Sequence, residues 1–306
     1  MKTELPPVRR MRFWRLYAED GRRFLDLRLL DNRGFLGAKG RFAGTRAKNG
    51  IDLGLLKEAP GRHAERLRKT LAAEFPRLTA FRFFRNEERA LAALSRTRET
   101  LYDPLVRPAD AEDRLTPAAE SAAGAGRSPA VGTAAAAGAP ALAVHRFFLS
   151  EEVTARLEAF PALLIPLPCP EPFGPAVLGF SDAKAAASVP EDELAPVMPF
   201  TALRAWEDFR GMSARLTGGR RIRSGEGAPA YAEDLWKRAD RRLAPYFERR
   251  GPYLYARCAR ADWEGFRARA LEAGCVLTPE WELPSIVPGD FDDGELKNLA
   301  KALEIL

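Results

Sequence analysis

The chain has 306 residues, of which 46% are hydrophobic, and this length and composition suit one large or two medium-sized globular domains. Its formal charge is +6, but the 39 arginines and nine lysines are spread along the sequence without a basic cluster that interleaves with aromatic residues, so we expect no nucleic-acid partner. The three cysteines are widely spaced, which argues against a disulfide framework, and the two isolated histidines argue against a metal site. The sequence shows no apolar run typical of a signal peptide or a membrane span, so we expect a cytoplasmic location.

The N-terminal part of the chain shows three patterns of secondary structure. Apolar residues alternate over residues 13–30 around an Asp20-Gly21 pair, which predicts a β-hairpin with its turn at these two residues. Six glycines within residues 31–54 favour a loop or a broken helix. Apolar residues at i, i+3 and i+4 spacing predict a helix over residues 61–75.

A predicted strand over residues 81–84 runs through a short polar turn into a predicted helix over residues 87–96. In many α/β enzymes such a junction holds a phosphate group, because free backbone N–H groups at a helix start attract anions. That role usually requires Gly or Ser, which let the backbone approach the ligand. Here the turn consists of Arg85, Asn86 and Glu87. Since the Glu87 carboxylate would repel a phosphate, we interpret the junction as an ordinary helix start with acidic residues in its first turn.

A low-complexity segment separates this part from the rest of the chain. Residues 117–140 are mainly Ala, Gly, Ser and Pro, which bury too little apolar area to offset the entropy of ordering, so we predict a flexible insert. A strand over residues 141–148 and a helix capped by Ser150 are predicted next. Two apolar runs within residues 161–180 predict short strands around a proline-rich loop.

The last hundred residues alternate between helical and strand patterns, which is typical of a compact α/β lobe. The predicted helices span residues 200–214, 231–247, 261–273 and 292–305, and the predicted strands span residues 252–258 and 275–278. The sequence contains neither the serine motif of α/β-hydrolases nor a nucleotide-binding P-loop. Cys169 lies between prolines in an apolar stretch, so we expect an inert thiol.

Several short motifs occur in the order known from one enzyme family. Its hairpin pattern, D-G-x-x-Y-x-D followed by L-G-H, is matched by Asp20, Gly21, Phe24, Asp26, Leu36 and Gly37. Residues 82–94 occupy the place of its N-S-G-[ST]-E-A phosphate cup, in which Glu88 matches and Arg85, Asn86 and Glu87 are degenerate cofactor-binding positions. The C-terminal segment resembles its small domain. Together these motifs resemble the class III aminotransferases, which are fold-type I pyridoxal-phosphate enzymes.

The resemblance implies an α/β fold, with a shortened aminotransferase-like (fold-type I) large domain and a small α/β C-terminal lobe. On this basis residues 1–50 form a hairpin and an arm that join the small domain. Residues 51–215 form a reduced large domain with the flexible insert at 117–140, and residues 216–306 form the small domain. The chain is considerably shorter than full family members, and the deficit falls between residues 100 and 195, where the cofactor-binding strands belong.

The resemblance also implies pyridoxal phosphate as a cofactor, held by a lysine through a Schiff base that no other residue type can form. The family places this lysine just before a Gly/Pro loop that leads into a strand, and the corresponding positions here are 166–168. No lysine lies between Lys69 and Lys184. Lys184 is the remaining catalytic candidate, although it follows the strand and belongs to a predicted surface helix or loop. The nearest counterpart of the family's acidic partner for the pyridine nitrogen is Glu151-Glu152, which we interpret first as a helix start.

Three hypotheses about function follow from these features. The first is a catalytically degenerate class III aminotransferase-like protein that acts through binding or dimerisation, as a homodimer or as a heteromer with a related aminotransferase. The second is an active pyridoxal-phosphate-dependent aminotransferase with a displaced lysine such as Lys184. The third is a basic module that binds a polyanion. The first is favoured because no lysine occupies the expected position, and the sequence identifies neither a substrate nor a partner.

Overall fold

The computed structural model of the chain describes residues 4–38, 42–107, 141–170, 173–216 and 233–304. The predicted flexible insert at 117–140 and nearly all of the predicted loop at 216–229 lie outside these ranges. Within the described residues the strands form three sheets. No helix of this part of the chain is long and apolar enough to cross a membrane.

The first sheet joins the N-terminal arm to a strand near the other end of the chain. Strands β1 (Val8–Arg12), β2 (Arg15–Ala18) and β3 (Arg23–Asp26) are antiparallel neighbours, and β10 (Cys275–Val276) pairs in parallel with β3. The predicted hairpin is confirmed as β2 and β3. In its turn Gly21 has φ 85°, a left-handed conformation that glycine adopts without strain. Strand β1 was not predicted, because four of its five residues are exposed and show no apolar alternation.

The second sheet has four strands, which lie between residues 80 and 180. It consists of β4 (Ala80–Phe84), β7 (Ala176–Phe180), β6 (Ala162–Ile165) and β5 (Leu142–Val144), in that order. Strands β5 and β6 are parallel, and β7 is antiparallel to both of its neighbours. The outer edge of β5 is closed by Tyr102, whose N–H donates to the Leu142 carbonyl at 3.1 Å and whose carbonyl accepts from the Val144 N–H at 2.8 Å. The short sheet therefore does not leave this strand edge unpaired.

Helices cover both faces of the second sheet. Helices α3 (Glu87–Ala92) and α5 (Ala183–Ala187) pack on one face, and α2 (Arg62–Glu74) and α6 (Val197–Leu216) pack on the other. Helix α4 (Glu151–Glu158) connects β5 to β6. These helices and strands confirm the elements predicted in this region, although α3 ends earlier than expected.

Helix α1 (Ala43–Asp52) lies where the glycine content predicted a loop or a broken helix. Its first residues have no local cap, and the backbone N–H groups of Phe42 and Ala43 donate to the Asp208 carboxylate of α6 at 2.5 and 2.9 Å. A side chain at Gly50 would lie 2.8 Å from the Val197 side chain, so the glycine allows α1 to approach α6 closely. Glycine here serves helix packing instead of breaking the helix.

The third sheet and three helices form the C-terminal lobe. Its elements are α7 (Glu233–Leu243), β8 (Phe247–Arg250), β9 (Tyr253–Ala256), α8 (Trp263–Glu272), β11 (Ser285–Ile286) and α9 (Asp293–Leu303). The sheet order is β11-β9-β8, with antiparallel pairs. The predicted helix over 231–247 is wrong at its C-terminal end, because the chain leaves the helix after Leu243 and turns at Gly251 (φ 60°) to pair β8 with β9.

Candidate functional site

An open cleft of about 830 Å³ lies beside the start of α3. Its walls come from the residues after β3, from the α3 junction and from the loop between β6 and β7. Its charged lining residues are Asp31, Arg33, Arg85, Glu87, Glu88, Arg96 and Arg98. No lysine is among the described residues that line it, whereas Lys2 and Lys39 lie outside the described ranges. The predicted cofactor-binding positions Arg85, Asn86 and Glu87 all line this cleft.

Two backbone N–H groups at the start of α3 already bond side chains of the protein. The Asn86 side chain caps the helix, because its Oδ1 accepts from the Arg89 N–H at 2.9 Å. The Arg85 N–H donates to Asp192 Oδ2 at 3.0 Å. The Arg85 side chain forms an ion pair with Glu58, with 2.5 Å between Nη2 and Oε1. With six residues, α3 is also too short to build up much of a helix dipole. The junction has the position of a phosphate cup, but the Asn86 and Asp192 side chains already accept two of its N–H groups.

Glu87 places a half-buried carboxylate in the same wall. Its Oε1 lies 3.0 Å from an Arg98 nitrogen. Burial raises the pKa of Glu87, and the nearby Asp31 charge adds to this effect, while the Arg98 guanidinium opposes it. Glu88, the one position that matches the family motif, is exposed. In this wall of the cleft the Arg98 guanidinium is therefore already paired with a carboxylate, that of Glu87.

A buried ion network continues from the cleft into the protein. Asp31 pairs with Arg98 at the cleft and lies 3.3 Å from Arg146, which also pairs with Asp103. The Arg146 side chain is fully buried. Burial of Asp31 disfavours its charge, but the Arg98 hydrogen bond and the charges of Arg146 and Arg33 outweigh this and lower its pKa. The network holds the N-terminal arm against the residues that follow β5.

Asn32 fills the gap between the ends of the two parallel strands. Its Nδ2 donates to the carbonyl of His145, just after β5, and to that of Pro166, just after β6, each at 3.2 Å. The side chain is completely buried. Leu30, Asp31 and Asn32 all have left-handed backbones, with φ of 48°, 52° and 71°, a conformation that costs roughly 1–2 kcal/mol for an ordinary residue. The surrounding hydrogen bonds and ion pairs hold this strained segment in the gap.

Of the remaining predicted positions, 166–168 border this gap, because Asn32 bonds Pro166. Positions 166–168 follow β6 as expected, but they carry Pro and Leu. Lys184 is exposed at the start of α5, beyond the end of β7 that lies farthest from the cleft. Five strand residues separate the two ends by about 17 Å. Glu151 and Glu152 are exposed in the first turn of α4, whose start is capped by the Ser150 hydroxyl.

Sequence reasoning missed the residues that occupy the site. Asp31 and Asn32 stand in a glycine-rich stretch, and Arg146 is a charged residue within the apolar run AVHRFF. A charge inside such a run is a signal, because a buried arginine needs carboxylate partners. The sequence does not show that these partners are Asp31 and Asp103.

Two other kinds of site find no support in the described residues. No three His, Cys, Asp or Glu side chains of this part of the chain converge as a metal site. Burial raises the pKa of Cys169 and of Cys275 to about 12, which keeps both thiols protonated at neutral pH. Cys169 lines the cleft without being a candidate nucleophile.

No protein-family model and no curated protein matches the sequence. Solved structures do match. N-acetylornithine aminotransferase from Stenotrophomonas maltophilia superposes with a TM-score of 0.57 at 13% identity, covering 98% of this chain and 96% of that chain. An omega-transaminase from Sphaerobacter thermophilus gives 0.58 at 12% identity, covering 98% and 91%. Acetylornithine aminotransferase from Elizabethkingia anophelis gives 0.56 at 9% identity, covering 98% and 94%.

The chain has an aminotransferase-like fold. The resemblance drawn from the sequence is thereby confirmed for the α/β, fold-type I architecture, and at 306 residues the chain is shorter than is typical of that fold. At these identities the likeness concerns the fold alone, so activity has to be argued from the site.

Proposed function

We propose that this aminotransferase-like protein is catalytically degenerate and acts by binding, as a homodimer or paired with a related aminotransferase. The observation that carries the proposal is Asn32, which fills the gap between the ends of β5 and β6 and bonds Pro166, one of the positions where the resemblance locates the cofactor's lysine. Because the N-terminal arm fills this gap, the protein keeps the fold of the enzyme but not its reacting groups.

The described residues do not fit pyridoxal phosphate. A Schiff base requires a desolvated lysine, and the lining of the cleft offers none within the described part of the chain. A phosphate requires free N–H donors and no facing carboxylate, whereas Asn86 caps the helix start and Glu87 faces the cleft. Lys184, the candidate of the active-enzyme hypothesis, gains no support from its exposed place on α5.

The distribution of exposed apolar residues supports the pairing part of the proposal. Among the described residues, eight large hydrophobic side chains are exposed, and seven of them lie between Met11 and Leu56. Leu53 and Leu56 are the most exposed, at 68% and 57%. Exposed apolar residues without a role in binding are usually scattered singly over the chain. Their concentration in one segment is typical of an interaction surface.

The first experiment tests cofactor chemistry. The full-length protein is mixed with pyridoxal phosphate, its visible spectrum is recorded, and borohydride is added before mass mapping of all nine lysines, including Lys39 and Lys184. We expect no aldimine absorbance and no stoichiometric adduct. Adduct formation on a single lysine, lost when that lysine is replaced with Ala, would refute catalytic degeneracy.

The second experiment tests pairing independently of the cofactor. Sedimentation analysis compares the unmodified protein with the double variant Leu53→Asp, Leu56→Asp, which we expect to be monomeric where the unmodified chain is dimeric. Val106→Asp is the matched control, because Val106 is the one exposed large hydrophobic residue of the described set outside this region. A monomeric unmodified protein that also fails to bind a related aminotransferase would contradict the pairing proposal.

A further inference from the structure

Strand β1 forms one edge of the first sheet, and its outer side has no neighbouring strand within the described residues. Four of its five residues are exposed. An edge strand of this kind presents backbone N–H and C=O groups with which a further strand can pair. On the inner side Arg10 lies opposite Tyr17, and Arg12 lies opposite Arg15. Arg10 and Arg12 therefore share one face of the strand, since side chains alternate along it.

The three arginines of β1 have no carboxylate partner in the described part of the chain. Arg9, Arg10 and Arg12 are exposed, and none of them forms an ion pair there. The Arg10 guanidinium lies over the Tyr17 ring, 4.3 Å from its centroid, which leaves the charge unpaired. The next arginines along the chain all pair with carboxylates, and these are Arg15, Arg22, Arg23 and Arg28. The missing counter-charge is thus particular to the edge strand.

The charge of this edge decides which kind of strand can join it. A second copy of β1 would bring arginines against arginines, and like charges directly opposite each other destabilise a strand pair. Carboxylates at alternate positions of an incoming strand would instead lie beside Arg10 and Arg12, because opposed side chains on one face have their Cβ atoms about 5 Å apart. Met11, which is 52% exposed, lies on the other face and offers an apolar contact to the residue between the carboxylates.

We propose that the outer edge of β1 binds an extended acidic segment of another protein, which joins the first sheet as an additional strand. The recognised pattern is Asp or Glu at two alternate positions with an apolar residue between them. Backbone hydrogen bonds along the edge supply the affinity, and the two arginines supply the selectivity. This interaction goes beyond the pairing proposed above and does not involve Leu53 or Leu56.

The test measures, by fluorescence anisotropy, the binding of a short labelled peptide to the full-length protein. The peptide has Glu at alternate positions and Val between them. A second peptide has Lys in place of Glu, and a third keeps every Glu but has Pro in place of Val, which removes N–H donors and prevents strand pairing. We expect saturable binding of the first peptide only, and this binding should weaken as salt rises. Equal binding of the proline peptide would show attraction between charges without strand addition, and it would overturn the proposal.

Two double variants locate the binding on the protein. Arg10→Glu with Arg12→Glu turns two attractive cross-strand pairs into repulsive ones, so it should weaken peptide binding about tenfold or more. The matched control is Arg241→Glu with Arg242→Glu, which makes the same change in net charge at two exposed arginines of α7 and should leave binding unchanged.

The variant Leu53→Asp, Leu56→Asp should bind the peptide as the unmodified protein does, so failure of the pairing proposal would leave this result intact. Equal losses in the two double-arginine variants would overturn the proposal, because net charge alone would then explain the binding. No saturable binding by the unmodified protein would also overturn it, and the arginines would then serve only to keep other strands away from the edge.

Discussion

Two arginine–carboxylate clusters fasten the N-terminal arm, and they differ in their contact with water. Arg15 of β2 reaches Asp290 at 2.8 Å and Glu295 at 3.0 Å, and Asp290 is 61% exposed. Arg146 lies fully buried between Asp31 and Asp103. Water therefore reaches Asp290 of the first cluster but not Arg146 of the second, although Arg15 and Glu295 are themselves only 13% and 11% exposed.

The buried cluster also lies beside the cleft that the predicted cofactor-binding positions line, because Asp31 belongs to both. Its members pair mainly with each other, while Nη1 of Arg146 and Oδ1 of Asn32 have no hydrogen-bond partner within the described residues. The two clusters differ in what the loss of one member leaves behind, because a buried group that loses its partner stays unpaired. Four measurements test the effect of burial on these polar groups.

The largest effect is expected at Arg146. Arg146→Met keeps most of the side-chain volume but leaves the carboxylate of Asp103 without its arginine partner, while Asp31 keeps only its pairs at the cleft with Arg98 and Arg33. We expect the free energy of unfolding to fall by about 3–5 kcal/mol, measured by urea denaturation. Arg22→Met, which breaks an exposed pair with Asp20, is the control and should cause no measurable change. A loss at Arg146 no larger than at Arg22 would mean that the network is not desolvated.

The next effect is expected at Asn32. Asn32→Gly keeps the backbone freedom for φ 71° but leaves the carbonyls of His145 and Pro166 without their donor. We expect a loss of about 2–3 kcal/mol, two hydrogen bonds in a buried site. Asn32→Ala should cost about 1 kcal/mol more, because alanine is strained in the left-handed conformation. Equal stability of the Gly and Ala variants would contradict the left-handed geometry.

Stability should also depend on pH through His145. Its folded-state pKa of about 3 lies below the ordinary value of 6.5, so the unfolded chain binds the proton more tightly. The contribution of the neutral ring is therefore fully present above pH 6.5 and is lost as the pH falls toward 3. Between pH 5.5 and 4.5 the free energy of unfolding should decrease by about 1.4 kcal/mol more in the unmodified protein than in His145→Phe. Parallel pH profiles of the two proteins would show that the ring is hydrated.

The smallest effect is expected at the surface cluster. Arg15→Met removes the cation from Asp290 and Glu295, whose carboxylates water can reach or Arg23 can still pair. We expect a loss of about 1 kcal/mol or less, and this loss should shrink further at high salt because exposed charges are screened. A salt-independent loss of several kcal/mol would place this cluster in the same class as Arg146.

Local sequence determined the elements whose signals lie within a few residues of each other. The predicted start of α4 at Ser150 is confirmed by its hydroxyl cap, and the predicted last helix is confirmed as α9, where Asp292 and Glu295 form a complete capping box. The hairpin of β2 and β3 follows in the same way from alternation and from Gly21. The sequence also shows that positions 166–168 carry no lysine.

Tertiary structure decided what depends on partners far away in the chain. Helix α1 begins where the Asp208 carboxylate, 165 residues from Ala43, accepts its first N–H groups. Strand β8 forms because it pairs with β9. Asn32 and Arg146 become site residues only when the N-terminal arm meets the ends of β5 and β6. Periodicity records which face of an element is buried, but it carries no information about which distant atom a buried polar group will meet.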